Sequence, residues 1–229
     1  MNDDTIVSDA RKNVPINIDR ENIMDIMLNE NGRDYHVLVD AAKAIKGVEG
    51  MTVEIGLREG GGSKNIIDTL IQNSDLGRTH IAIDPYGHIE YRLKDNETVT
   101  YDYHNDMRNR TIASMYAYIQ NKNINFLFFP LEDSEFFIRF SDGVPTYSDK
   151  SKRMETKYAL VYFDGPHTTQ DTFDETQFFM ARAVPGSIFV YDDIEGYYDH
   201  EYIKKHLFQN GWIERMRSTT KNSYIKTNV

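Results

Sequence analysis

Five short apolar runs set the fold class. MTVEI (51–55), THIAI (79–83), NFLFF (125–129), YALVYF (158–163) and SIFVY (187–191) are each five or six residues of β-branched or aromatic character, too short for helices. Between them lie segments with helical spacing at 36–46, 63–73, 107–121, 132–139, 169–183 and 200–210. Strands alternating with helices predict a doubly wound α/β fold, a mostly parallel sheet covered on both faces. The tail breaks the rhythm: 212–218 and 223–228 read as two strands around Thr220-Lys221-Asn222, a C-terminal antiparallel hairpin that brings the sheet to seven strands. Residues 1–18 read as a polar arm and 20–30 as a further helix. The organisation expected is an N-terminal arm with helices over 1–48 and a single domain over 49–229, with insertions at about 85–122 and 141–157.

In such sheets ligands sit beyond the C-terminal strand ends, where the strand order reverses. The strand ends here are Glu54, Asp84, Phe129, Asp164 and Asp192, of which four are acidic. FDGPH (163–167) adds His167 to Asp164, and YDDI (191–194) adds Asp193 to Asp192. With no cysteine in the chain, an ion held there would have hard ligands, which suits Mg²⁺, Mn²⁺ or Ca²⁺. A net charge of −10 opposes nonspecific attraction to nucleic acid or an anionic membrane surface. No run of 18 apolar residues is present, and the acidic start MNDDTIVSDARKN lacks the basic and apolar regions of a secretory signal. A cytoplasmic protein with a small-molecule partner, and no nucleic-acid or membrane partner, is expected; a homo-oligomer stays open.

VEIGLREGGGS (53–63) joins a strand to a helix through a glycine-rich turn. Gly56 suits a tight turn, Gly60 to Gly62 allow close backbone approach, and the first N–H groups of the helix can bind oxygen atoms. A dinucleotide G-x-G-x-x-G cannot be laid on it, because Arg58 stands two residues after Gly56. Glu54 at the turn's entrance would repel a pyrophosphate and suits a ligand carrying an amine. Asp84, 22 residues beyond Gly62, is placed to accept ribose hydroxyls.

Glu54-x-Gly56-x-x-x-Gly60, Asp84, Asp133-Ser134 and Asp164 together resemble a class I S-adenosylmethionine-dependent methyltransferase, over roughly 50–227. E-I-G…G-G-S, I-D-P, F-D-G-x-H and Y-D-D-I are similar to the narrower macrocin O-methyltransferase-like and cephalosporin-hydroxylase-like group, several of which use a divalent metal. The resemblance implies a Rossmann-like methyltransferase fold and O-methylation of a sugar or phenol. It implies that Glu54, Gly56 and Gly60, with Gly61 and Ser63, hold the methionine part of S-adenosylmethionine, that Asp84 holds the ribose, and that Asp133 and Ser134 lie near the adenine. Asp164, Asp192 and Asp193 would bind a divalent cation, Mg²⁺ foremost, and His167 would be the base. Pro166 stands where relatives with an aspartate base carry that residue.

Other readings remain beside these. Asp192-Asp193 would also serve to cap the following helix. His167 would also serve as a turn residue, and Tyr86, His88, Tyr91, Tyr101 and Tyr103 as either a lid over the acceptor or an insertion packed on the sheet. His80, His88, His104, His200 and His206 read as structural. A methyltransferase-fold protein that binds without catalysis and a nicotinamide-dependent oxidoreductase are the alternative functions.

Overall fold

All five apolar runs form strands of one sheet in the computed structural model, which describes residues 32–87, 89–94, 97–100, 103–148 and 151–228. The arm expected over 1–18 and the helix expected over 20–30 lie outside the described residues. The chain runs α1 (Tyr35–Ala44), β1 (Met51–Ile55), α2 (Gly61–Gln72), β2 (Thr79–Ile83), β3 (Glu90–Lys94), β4 (Glu97–Thr100), α3 (Asn105–Ile119) and β5 (Asn125–Phe129). It continues through α4 (Asp133–Arg139), β6 (Val144–Ser148), β7 (Ser151–Glu155), β8 (Tyr158–Phe163), α5 (Thr169–Met180), β9 (Ala183–Tyr191), α6 (His200–Gln209), β10 (Trp212–Arg217) and β11 (Asn222–Lys226). No helix among the described residues is long and apolar enough to cross a membrane.

The sheet has seven strands in the order β5-β2-β1-β8-β9-β11-β10. β5, β2, β1, β8 and β9 pair in parallel, while β11 is antiparallel to both β9 and β10. The chain builds outward from β1 to β5, then returns to the other side of β1 with β8. The order therefore reverses between β1 and β8, and the crevice for a ligand opens beyond Ile55 and Phe163.

Side chains alternate across the sheet, as strand geometry requires. On β8, Leu160 and Tyr162 join Val37, Leu38, Ile66, Leu70 and Met115 on the face covered by α1, α2 and α3. Val161 and Phe163 join Phe136, Phe179, Ile203 and Trp212 on the face covered by α4, α5 and α6. The second face is dense in aromatics: Phe163 stacks on Tyr191 at 4.4 Å and Phe189 lies 4.1 Å from Trp212. His200 is buried here, its Nε2 2.8 Å from the Tyr224 hydroxyl, and burial pulls its pKa down to about 4.

Two segments differ from expectation. The charged stretch at 141–157 is an antiparallel hairpin, β6 with β7, paired from Val144–Glu155 to Ser148–Ser151. β7 is almost wholly exposed, so backbone pairing rather than apolar burial defines it. The helix expected to 183 ends at Met180, and β9 starts early, at Ala183, with a register irregularity against β8 around Gly186, whose φ is +88°.

Candidate functional site

Backbone hydrogen bonds stitch the acidic strand ends together. Gly56 N–H donates to the Ile83 carbonyl (2.9 Å), Asp164 N–H to Ile55 (3.0 Å) and Asp192 N–H to Phe163 (3.0 Å). β1 and β8 then approach so closely that a Cβ on Gly56 would sit 2.0 Å from the Asp164 carbonyl oxygen. Gly56 also has φ +85°, a left-handed conformation, so glycine is required here twice over. Gly60, at φ +81°, caps α2. Gly62 lets α2 lie against β1: a Cβ there would be 2.1 Å from Glu54 Oε1.

Glu54 is fully buried, and a polar chain holds it. Thr52 Oγ1 is 2.8 Å from His80 Nδ1, His80 Nε2 is 2.7 Å from Ser63 Oγ, and the Ser63 hydroxyl donates to Glu54 Oε2. Burial drives His80 down to about 3, which keeps the ring neutral. Burial drives Glu54 up to about 8, against the pull of the Ser63 hydroxyl and N–H and of Lys221. Ser63, expected to touch the cofactor, is instead completely buried and positions Glu54.

Asp84 ties the glycine turn to the end of β2. Its carboxylate accepts from the N–H groups of Arg58 (2.8 Å) and Tyr86 (2.9 Å), and the Leu57 N–H adds to them. Burial nevertheless raises its pKa to about 6. The Tyr86 hydroxyl donates to the Arg58 carbonyl, closing the loop on itself. Arg58, Tyr86 and Asp193 are three of the five described non-glycine residues with positive φ. Backbone strain is thus concentrated around this crevice.

Beyond β8 and β9 the side chains sort into two groups. Ligand atoms of Asp164, His167 and Asp193 lie within 4.8 Å of one another, with His167 Nε2 3.0 Å from Asp193 Oδ2. The His167 ring packs edge-on against Tyr197 at 5.3 Å. Burial, then the Asp192 charge, push the Asp164 carboxyl well above the usual range, while Lys221 opposes them. The hydrogen bond from His167 holds Asp193 below its ordinary value.

Asp192 belongs to the other group. Its Oδ2 accepts from the Tyr162 hydroxyl (2.7 Å) and from Lys221 Nζ, and its Oδ1 accepts the Asp193 N–H (2.8 Å). The capping alternative fails, because Asp199 caps α6, accepting from the Tyr202 N–H at 3.0 Å. Lys221 was missing from the expected site. It is 1% exposed, and its ammonium lies 5.2 Å from the Tyr35 ring and 5.4 Å from the Tyr162 ring.

Two cavities share this crevice. One, of about 480 Å³, is lined by Glu54, Gly56, Gly61, Gly62, Asp192 and Lys221. The other, of about 530 Å³, is lined by Asp84, Tyr86, Tyr103, Asp133, Ser134 and His167. Gly56, Arg58, Asp164, Asp193 and Tyr197 line both. Of the residues expected at the cofactor, Gly60 and Ser63 line neither. Asp133 opens α4, and burial raises its carboxyl to about 6. Tyr86 is packed into the loop, Tyr103 faces the larger cavity, and His88 and Tyr101 lie outside the described residues.

No protein-family model matches the chain, and no curated protein does. Solved structures do. The O-methyltransferase NovP superposes with a TM-score of 0.57 at 15% identity, covering 83% of this chain and 79% of its own. CalS11, a TDP-rhamnose 3′-O-methyltransferase of calicheamicin biosynthesis, gives 0.56 at 14% identity, covering 96% and 90%. The O-methyltransferase TomG from Streptomyces achromogenes, solved with S-adenosylmethionine, gives 0.52 at 10% identity, covering 91% and 90%. This is the class I methyltransferase fold.

Proposed function

We propose that the protein transfers a methyl group from S-adenosylmethionine to an oxygen of a small hydroxylated acceptor, a sugar or a phenol, with a divalent ion assisting. One observation carries this reading: two cavities at the strand-order reversal meet at Asp164, Asp193 and Tyr197. A two-substrate transfer needs two pockets that open on one seam. On this reading residues 49–229 form the cofactor-binding domain, 1–48 are an N-terminal addition, and the protein works in the cytoplasm.

S-adenosylmethionine supplies a methyl group already activated on a sulfonium, and a divalent ion supplies positive charge that makes a hydroxyl more acidic. The chain's own groups do the rest. Glu54 faces the amine of the methionine half, and the glycine turn with the start of α2 receives its carboxylate. Asp84 takes the ribose hydroxyls, and Asp133 with Ser134 flanks the base. Asp164 and Asp193 fit a divalent ion because their oxygens converge with His167 Nε2 within 4.8 Å. His167 is the side chain at the seam that can take a proton or an ion, with Asp193 orienting its ring.

Calorimetry with S-adenosylhomocysteine should give micromolar binding, on the order of −8 kcal/mol. Asp84→Asn should weaken it roughly 10- to 100-fold, since the turn and the ribose both depend on that carboxylate. Transfer of labelled methyl to a panel of sugars and phenols then identifies the acceptor. Binding of a nicotinamide dinucleotide, with no response to either S-adenosyl ligand, would overturn the reading.

A further inference from the structure

Thr52 and Glu54 stand two residues apart on β1, so their side chains leave the same face of the sheet. The pairing of Thr52 with His80 brings the imidazole to that face, and Ser63 on α2 packs over it. The result is a row of four polar groups, none more than 1% exposed. Thr52 Oγ1 meets His80 Nδ1 at 2.8 Å, His80 Nε2 meets Ser63 Oγ at 2.7 Å, and Ser63 Oγ meets Glu54 Oε2. Burial keeps the ring neutral, so it carries one N–H and one bare nitrogen. Each hydroxyl has one hydrogen to give. The directions along the row are therefore tied together. With Glu54 ionised, its oxygens only accept: Ser63 O–H points at the carboxylate, Nε2–H at Ser63, and Thr52 O–H at Nδ1. The Ser63 N–H also donates to this carboxyl and cannot turn round, so an acid proton on Glu54 faces the hydroxyl instead. With Glu54 neutral, its O–H points at Ser63, Ser63 O–H at Nε2, and Nδ1–H at Thr52.

We infer that this row reverses when Glu54 ionises, and that His80 is the positioning residue that allows it, exchanging its Nδ1–H tautomer for Nε2–H so that the Ser63 hydroxyl donates to the carboxylate when a cationic ligand enters. One proton is lost, that of Glu54, which leaves through the cavity Glu54 lines. The hydrogens of Ser63, His80 and Thr52 remain, and each reverses. Burial and Asp84 favour the neutral carboxyl, Asp164, Tyr35 and Tyr86 also interact with its charge, and Lys221 favours the ionised form. A ligand amine in the cavity adds to the Lys221 side. That the amine belongs to S-adenosylmethionine rests on the methyltransferase reading; the reversal rests on the row itself. His80 lines neither cavity and acts through Ser63 and Glu54.

The test is the His80 tautomer, read from two-bond proton–nitrogen spectra of the ¹⁵N-labelled whole protein, with S-adenosylhomocysteine binding followed by calorimetry. The His80 signal is the one missing from His80→Gln. Without ligand the ring proton should sit on Nδ1 at about pH 6 and on Nε2 at about pH 9, either side of the raised Glu54 value. Saturating S-adenosylhomocysteine should produce the Nε2–H form already at the lower pH. In Ser63→Ala the tautomer should answer to neither, and affinity should fall roughly 10- to 100-fold. His80→Phe keeps a ring against Phe126 but should bind about tenfold more weakly near neutral pH. His80→Gln should recover most of that loss, because its amide presents a donor or an acceptor by turning over. Should the phenylalanine variant not fold, Ser63→Ala and the wild-type spectra decide alone. A single tautomer throughout, in a protein that binds S-adenosylhomocysteine, would overturn the reversal and leave the methyltransferase reading standing. A tautomer that follows pH in a protein that binds no S-adenosyl ligand would uphold the reversal and overturn that reading instead.

Discussion

Gly56→Ala should lower stability by about 3–5 kcal/mol and abolish S-adenosylhomocysteine binding. Two costs add. An L-residue at φ +85° carries roughly 1 kcal/mol or more of backbone strain. The larger cost is steric: the new methyl would sit 2.0 Å from the Asp164 carbonyl oxygen and 2.6 Å from its carbonyl carbon, both backbone atoms. A side chain can rotate away, but this contact is relieved only by parting β1 from β8, which breaks the bond from Asp164 N–H to Ile55. For a chain of this size the loss corresponds to a fall in Tm of roughly 10–15 °C. Gly47→Ala is the control, because Gly47 has φ +80° but nothing within 4 Å of a new Cβ. It should cost only about 1 kcal/mol, leaving cofactor binding intact. Thermal unfolding of the two variants side by side separates strain from clash. Equal shifts would show that the strand ends are free to move apart and that Gly56 does not set the crevice.

The same stitching explains what sequence could reveal. Strands as short and apolar as THIAI and YALVYF leave no choice of element, and five of them alternating with helices leave little choice of sheet. The residues following β1, β2, β8 and β9 were legible as a site because parallel strands end on one edge. Ser63 was not, because a glycine-rich helix start looks alike whether its serine faces ligand or core; His80 beneath it decides the matter. Lys221 was hidden for a different reason. In the turn S-T-T-K-N a lysine looks solvated, and only the register of the closing hairpin places it. β11 pairs Asn222 with Tyr191, so the next step along the two antiparallel strands sets Lys221 beside Asp192. A hairpin register cannot be read from composition, and this one sets a buried lysine against an acidic residue that sequence placed with the ion. The hairpin at 144–155 was missed for a related reason: exposed strands carry no apolar period.

Glu54→Gln should make the protein more stable at pH 8 while weakening its hold on the cofactor. The buried carboxyl has its pKa raised from 4.5 to about 8, chiefly by burial. The folded state therefore keeps the proton that the unfolded chain gives up above about 4.5. The stabilisation from the neutral form is complete below the unfolded value and is lost as pH rises through the folded one, at up to about 1.4 kcal/mol per pH unit in between. Glutamine fixes the neutral state and keeps an oxygen for the Ser63 hydroxyl, so the Tm advantage over wild type should grow between pH 5 and pH 8 and vanish at the acid end. Cofactor binding should move the other way. The amine of the methionine half favours an ionised carboxylate, and losing that charge-assisted contact removes about 1.5–3 kcal/mol, some 10- to 150-fold in Kd. Wild-type affinity should also rise with pH across the same window, because binding must first displace the Glu54 proton. In Glu54→Gln this pH dependence should disappear. A variant that loses stability at pH 8 and binds S-adenosylhomocysteine as wild type does would show that Glu54 belongs to the core beneath the turn and does not meet the ligand.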